Sequence, residues 1–307
     1  MKLPVKQLAS ALCAVATLYA LALWLTADAS PSDMLLRLIS PLGLLASVLC
    51  LISYGLRGLR WRSWMMLYQR PMGLMTGLRL YLAGYTFTPT PGNVGEAMRG
   101  LLLAQQPLTL GQSLAIFGAE RLADLVCLLL LSLPGLWWLA TQTPWLQTNT
   151  LSLPQVMGMA GLALGAGLFG LFSLKALLLK RLPWLAQAWL CLASKPWNWL
   201  GLTLLAWSLQ GIAVWLVCQA CGLTLSVVQA TGLYAMAMVG GALSMLPAGL
   251  GGTEAILTAL LLGHGSSLGQ AAAITIGVRL LTLWLAVAIG GTALIYSAAY
   301  RKDLRFS

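Results

Sequence analysis

The sequence predicts an all-α polytopic membrane protein, with about six full spans, two re-entrant helical hairpins in an inverted repeat, and both termini in the cytoplasm. Three observations carry that prediction. Only 8% of the 307 residues are charged while 59% are hydrophobic, and mean hydropathy is +0.85, a composition outside the range of soluble domains. The apolar stretches continue for around twenty residues, enough to cross about 30 Å of hydrocarbon at about 1.5 Å per residue, without the period-2 alternation of a membrane β-barrel. Lysine and arginine gather at alternate connections. With no polar stretch long enough for a soluble domain, residues 1–307 are read as one transmembrane domain.

Taken in order, the first span is 6–27. The opening MKLPVKQLASALCAVATLYALALWLTADAS imitates a signal peptide down to Ala27 and Ala29. Its apolar core exceeds the roughly 7–15 residues of a cleaved leader, so it is expected to be retained. Span two, 35–56, is followed by Arg57, Arg60, Arg62 and Arg70. Spans three and four are 108–138 and 151–174, the latter followed by Lys175, Lys180, Arg181 and Lys195. The Trp-rich piece RLPWLAQAWLCLASKPWNW suits a helix lying in the cytoplasmic interface. Spans five and six are 198–221 and 268–298, before Arg301, Lys302 and Arg305. The opposite connections hold Asp28 and Asp33 with Arg37 alone, then TQTPWLQTNT, then a Gly/Ser turn at 263–267. By the positive-inside rule both termini are cytoplasmic. The net charge of +11 is read as topology and anionic-lipid anchoring, not as nucleic-acid binding.

Two apolar segments remain, 72–104 and 225–263, each broken in its middle by TPTPGNVGEAMRG or LPAGLGGTEA. Six spans already alternate correctly, so both segments must return to the side they came from, as re-entrant hairpins. They are also copies. A shift of 158 residues places Glu96-Ala97 on Glu254-Ala255, Leu110-Gly111-Gln112 on Leu268-Gly269-Gln270, and Arg121-Leu122 on Arg279-Leu280. Twelve of the thirty positions between 96 and 125 are identical in the copy, against roughly three by chance in so apolar a composition. The repeats, about 72–138 and 225–298, are expected to lie upside-down relative to each other. Interrupted segments at corresponding positions of inverted halves point to a transporter's midplane site.

The embedded acids are Glu96, Glu120, Asp124 and Glu254, and the embedded bases Arg79, Arg99, Arg121 and Arg279. Each costs roughly 2.5–3.5 kcal/mol to insert unless paired or hydrated. Two readings stand side by side. In one, the charges are register-fixing salt bridges, and Glu96 and Glu254 cap half-helices, Asn93-x-x-Glu96 having the spacing of a capping box. In the other, PGNVG and PAGLGG set two half-helix N-termini near the membrane centre with free N–H groups inward. Asn93, Gly95, Gly251, Gly252 and Thr253 then border an anion site for a lipid phosphate, completed by Arg121 and Arg279. Glu96, Glu120, Asp124 and Glu254 hold the arginines, Arg99 of the site among them, when the site is empty, or carry a coupling proton.

Other chemistries are poorly served. Cys218 and Cys221 form a C-x-x-C inside an apolar helix and read as packing residues. A lone histidine, His264, gives no His-based metal site, and no Walker motif is present, so no metal, cofactor or ATP hydrolysis is expected. The small-residue face GLALGAGLFG suits helix packing.

At these residues the chain resembles the flippase-like membrane proteins related to the transmembrane half of lysylphosphatidylglycerol synthases. The resemblance rests on P-x-x-x-G-E-A-x-R (Pro91 to Arg99), F-G-x-E-R-x-x-D (Phe117 to Asp124) and P-x-x-L-G-x-x-E-A (Pro247 to Ala255). It implies an inner-membrane protein with re-entrant helices that moves anionic or aminoacylated phospholipids, or polyprenyl-phosphate-linked lipids, between leaflets. The full-length synthases carry a soluble aminoacyl-transferase domain after the membrane part. This sequence stops at YRKDLRFS, so it is expected not to make lysylphosphatidylglycerol itself, and no enzyme activity is assigned. The competing classes are a non-transporting lipid-binding scaffold for an envelope-lipid enzyme, and a membrane-embedded transferase.

Overall fold

A computed structural model describes residues 36–101, 103, 107–142, 183–244 and 246–297. The spans expected at 6–27 and 151–174, the small-residue face at 161–170 and both charged termini lie outside these residues. Four helices are long and apolar enough to cross a membrane: Pro41–Leu67, Leu110–Thr141, Pro196–Ala220 and Leu268–Tyr296. They coincide with four of the six expected spans.

Helix α1 (Pro41–Leu67) starts where Pro41 supplies a preset φ and the Ser40 hydroxyl accepts from the Gly43 N–H. It corrects the expected span. The helix continues past residue 56 to Leu67, so Arg57 and Arg60 are not in a cytoplasmic connection: they are 8% and 0% exposed. A hydropathy reading ends the span at the first arginines, because it cannot see carboxylates on another helix.

Helix α2 (Leu74–Ala83) passes into a 3-10 turn, Gly84–Phe87, and the first break follows as a second 3-10 stretch, Pro91–Ala97. Consecutive left-handed residues Gly92 (φ 59°) and Asn93 (φ 58°) interrupt the helical ladder within it. An α-turn, Met98–Leu101, follows, and the rest of the half-helix expected on the C-terminal side of this break falls largely outside the described residues. Helix α3 (Leu110–Gln142) opens on a reciprocal cap: Gln112 N–H donates to the Thr109 hydroxyl, and Thr109 N–H to the Gln112 side chain.

Helix α4 (Pro183–Ala193) packs Ala188 and Cys191 inward against α3 and leaves Trp189 and Leu190 exposed. Helix α5 (Pro196–Ala220) lies along α1. Helix α6 (Val227–Leu243) begins at a Ser226/Gln229 capping box and crosses α3 closely where Gly135 meets Gly232. Cys218 is buried, and both Cys218 and Cys221 are free thiols.

The second break, Pro247–Gly249 and its following turn, leads into α7 (Gly252–Gly263) and α8 (Leu268–Arg279). A π-helical stretch, Leu280–Trp284, joins α8 to α9 (Leu285–Tyr296), so 268–296 forms one apolar element. Helix α8 repeats one half of the α3 cap, with Gln270 N–H donating to the Ser267 hydroxyl at the repeat positions of Gln112 and Thr109, while the Gln270 side chain donates to the Cys221 carbonyl. Helix α9 packs on α2 and on the 3-10 turn after it, and the two breaks touch each other at the centre.

Candidate functional site

The two breaks share a backbone shape. Each starts on proline (Pro91, Pro247) and places the next two residues left-handed: Gly92 and Asn93 in the first, Ala248 (φ 53°) and Gly249 (φ 65°) in the second. Left-handed asparagine and alanine are strained by comparison with glycine. Between them lies a cavity of about 70 Å³, whose wall includes Asn93 and Glu96 of the first break, Ala248 of the second, and Arg57, Arg121 and Arg279. Tyr54, Tyr234, Trp207 and Gln210 close its other sides.

The first copy carries most of the charge. Arg99 lies between two carboxylates, bonded to Glu96 and, at 3.0 Å, to Glu120, with its guanidinium 4.3 Å from the Tyr81 ring centroid. The Thr88 hydroxyl donates to Glu96 at 2.8 Å. Arg60 donates to Asp124 and to the Thr203 hydroxyl, each at 2.8 Å, and approaches Glu120 at 3.8 Å. Arg121, the most exposed member at 35%, reaches Glu96 at 3.5 Å and Asp124 at 3.3 Å. Trp207 donates its indole N–H to Asp124 at 3.3 Å. Burial makes every one of these links costly to break singly, because the abandoned charge stays in a low-dielectric interior.

In the second copy one pair does the same work. Arg279 donates to Glu254 at 2.7 Å and to the Ala248 carbonyl at 2.8 Å, which ties the left-handed turn to α8. The other Glu254 oxygen accepts from the Gly251 N–H at 2.8 Å. One N–H of the expected free cluster at this N-terminus, that of Gly251, is thus engaged by the helix's own glutamate, so Glu254 both caps and holds the arginine. Gly251, at φ 84°, turns the chain into α7, and Gly252 and Thr253 pack against Ser244 and Gly241.

Asn93 does not cap. It is left-handed, and its buried side-chain oxygen has no partner, while Glu96 is held by Thr88, Arg99 and Arg121. Gly95 is required by a close approach, a Cβ there lying 2.7 Å from the Phe87 carbonyl. Of the expected site residues, Asn93, Glu96, Arg121 and Arg279 line the cavity; Arg99, Glu120, Asp124 and Glu254 stand behind them. Arg79 does not join: it donates to Ser297 at 3.1 Å and lies over Tyr296.

The reading of the sequence missed Arg57 and Arg60. Arg57 donates to Gln210 at 2.9 Å and stacks 3.9 Å from the Trp207 ring centroid, and Tyr234 donates to the same Gln210 oxygen at 3.2 Å. A signal was present: Tyr54, Arg57, Trp61 and Trp64 recur at helical spacing with Arg60 beside them, so the arginines share the buried stripe.

No curated protein matches the chain. The chain belongs to the family described as the lysylphosphatidylglycerol synthase TM region, which it matches over residues 8–290, and is a multi-pass membrane protein tied to lipid handling.

Proposed function

We propose that the protein is a lipid flippase of the inner membrane, passing an anionic or polyprenyl-phosphate-linked head group through the central cavity while the hydrocarbon chains stay in the bilayer. The observation that carries this reading is the cavity between the two breaks, to which each copy contributes the same arginine, Arg121 or Arg279. In this reading the segments 72–104 and 225–263 are re-entrant, the repeats are inverted, both termini are cytoplasmic, and the chain performs no covalent chemistry. The short α7, about 18 Å long at about 1.5 Å per residue, supports an element that turns back before crossing. Guanidinium groups suit the task because they remain charged and bind phosphate oxygens in a fork.

The test is leaflet exchange of labelled phospholipids and polyprenyl phosphates in liposomes holding the purified protein. Arg121→Ala/Arg279→Ala is expected to lower exchange at least tenfold in protein that still inserts and runs as a single species. Arg121→Lys/Arg279→Lys, with charge kept and the fork lost, should fall between. Full exchange in the alanine variant would overturn the reading.

A further inference from the structure

Arg57 differs from every other arginine of the centre in its partners. Arg60, Arg99, Arg121 and Arg279 each hold at least one carboxylate. Arg57 is 8% exposed, bonds only a neutral amide, lies on an indole face, and keeps its Nε without a partner. Among the described residues no carboxylate comes within salt-bridge distance of it. A buried cation without a counter-charge is costly unless an anion arrives to offset it.

Its position says where that anion would sit. Arg57, Arg121 and Arg279 line the cavity with one carboxylate, Glu96; with Asp124 and Glu254 counted where they pair to Arg121 and Arg279, the cation left without a carboxylate is Arg57. Glu254 and Asp124 stand behind Arg279 and Arg121, outside the wall. Arg121 also keeps an unpartnered Nε. The volume of about 70 Å³ holds about five water-sized groups at roughly 10–15 Å³ each. A phosphate, one phosphorus and four oxygens, is of that size.

We propose that the cavity takes a terminal phosphate monoester carried on a lipid chain, and that Arg57 reads its second negative charge. This rests on the translocation reading and narrows it. A monoester carries about −1.5 to −2 at neutral pH and offers three unsubstituted oxygens to the three arginines of the wall, whereas a phosphodiester head group carries one charge, offers two, and has a second substituent that must leave the cavity. Polyprenyl phosphates and phosphatidic acid share the monoester group.

The experiment is equilibrium binding to the purified protein in detergent, followed by quenching of tryptophan fluorescence. Dodecyl phosphate, dodecyl phosphoglycerol and inorganic phosphate are the probes, and thermal unfolding serves as a second readout. Dodecyl phosphate is expected to bind at least tenfold more tightly than the phosphoglycerol. Arg57→Gln should reduce that ratio to within twofold, and Arg57→Lys should retain part of it. Inorganic phosphate should bind weakly and compete. Equal binding of the two dodecyl probes by the unaltered protein, which needs no variant to fold, overturns the proposal. So does an unchanged ratio in folded Arg57→Gln, and so does inorganic phosphate binding as tightly as dodecyl phosphate, which makes this a free-phosphate site. Monoester preference without leaflet exchange leaves the proposal standing and removes translocation. Exchange of diester lipids without monoester preference removes this proposal alone.

Discussion

The two copies of the repeat share a backbone and divide the charge unequally. Residues 96–125 hold Glu96, Arg99, Glu120, Arg121 and Asp124; their partners in the copy are Glu254, Leu257, Val278, Arg279 and Thr282. What both keep is one glutamate after the break and one arginine in the following helix. What the first copy adds is Arg99, wedged between Glu96 and Glu120, with Arg60 reaching in from α1. At the position of Arg99 the second copy has Leu257, fully buried in the hydrophobic core. The glutamate–arginine pair serves the turn and the cavity in both copies, while the additional charges bind the first copy's break to α1 and α3. The second copy fixes its break with backbone bonds instead, from Gly251 to Glu254 and from Arg279 to Ala248.

The largest effect should come from making the first copy like the second. Arg99→Leu leaves Glu96 and Glu120 without their main cation in a buried site, at a cost of about 3–5 kcal/mol. Folded protein recovered by size-exclusion chromatography in detergent should fall sharply. Glu254→Gln, the matching change in the second copy, keeps one acceptor oxygen for either Gly251 or Arg279 and turns its amide nitrogen toward the other donor, at a cost of about 1.5–3 kcal/mol. Equal losses for the two variants would break the comparison.

A steric pair sharpens it. An added Cβ at Gly84 falls 2.0–2.4 Å from the Arg99 side chain, which its two carboxylates hold in place. Gly84→Ala should cost about 1–3 kcal/mol as overpacking. Gly240 stands at the same distance from the proline of its own break, and a Cβ there meets the terminal methyl of Ile256 at 2.3 Å. That methyl can rotate away, so Gly240→Ala should lower the melting temperature less than Gly84→Ala does.

The smallest effect concerns the turn after α7, where the second copy has His264 and the first has Gln106. His264 stacks on Trp138 at 3.4 Å between ring centroids, and burial lowers its pKa below the ordinary 6.5. The folded protein thus binds this proton less readily than the unfolded chain. Stability is fully present above pH 6.5 and declines as pH falls below it. His264→Gln should flatten the melting-temperature profile between about pH 5 and 7, and an unchanged profile would exclude His264 as its source.

How much was legible follows from these residues. The repeat, both breaks and the Glu96/Arg121 and Glu254/Arg279 correspondences were readable because they lie at fixed sequence spacing. Arg57 and Arg60 were misplaced because their partners are far along the chain: Gln210 and Thr203 on α5, Asp124 on α3.

By itself the sequence determined the membrane class, the apolar helices, the duplicated breaks and the need to accommodate many internal charges, since each follows from composition, length and periodicity within one segment. The tertiary structure alone decided which charge meets which. A salt bridge in a low-dielectric interior depends on a few ångströms between residues that can be more than a hundred positions apart. That packing paired Arg60 with Asp124, set Arg99 between two glutamates, and left Arg57 facing the cavity without a carboxylate.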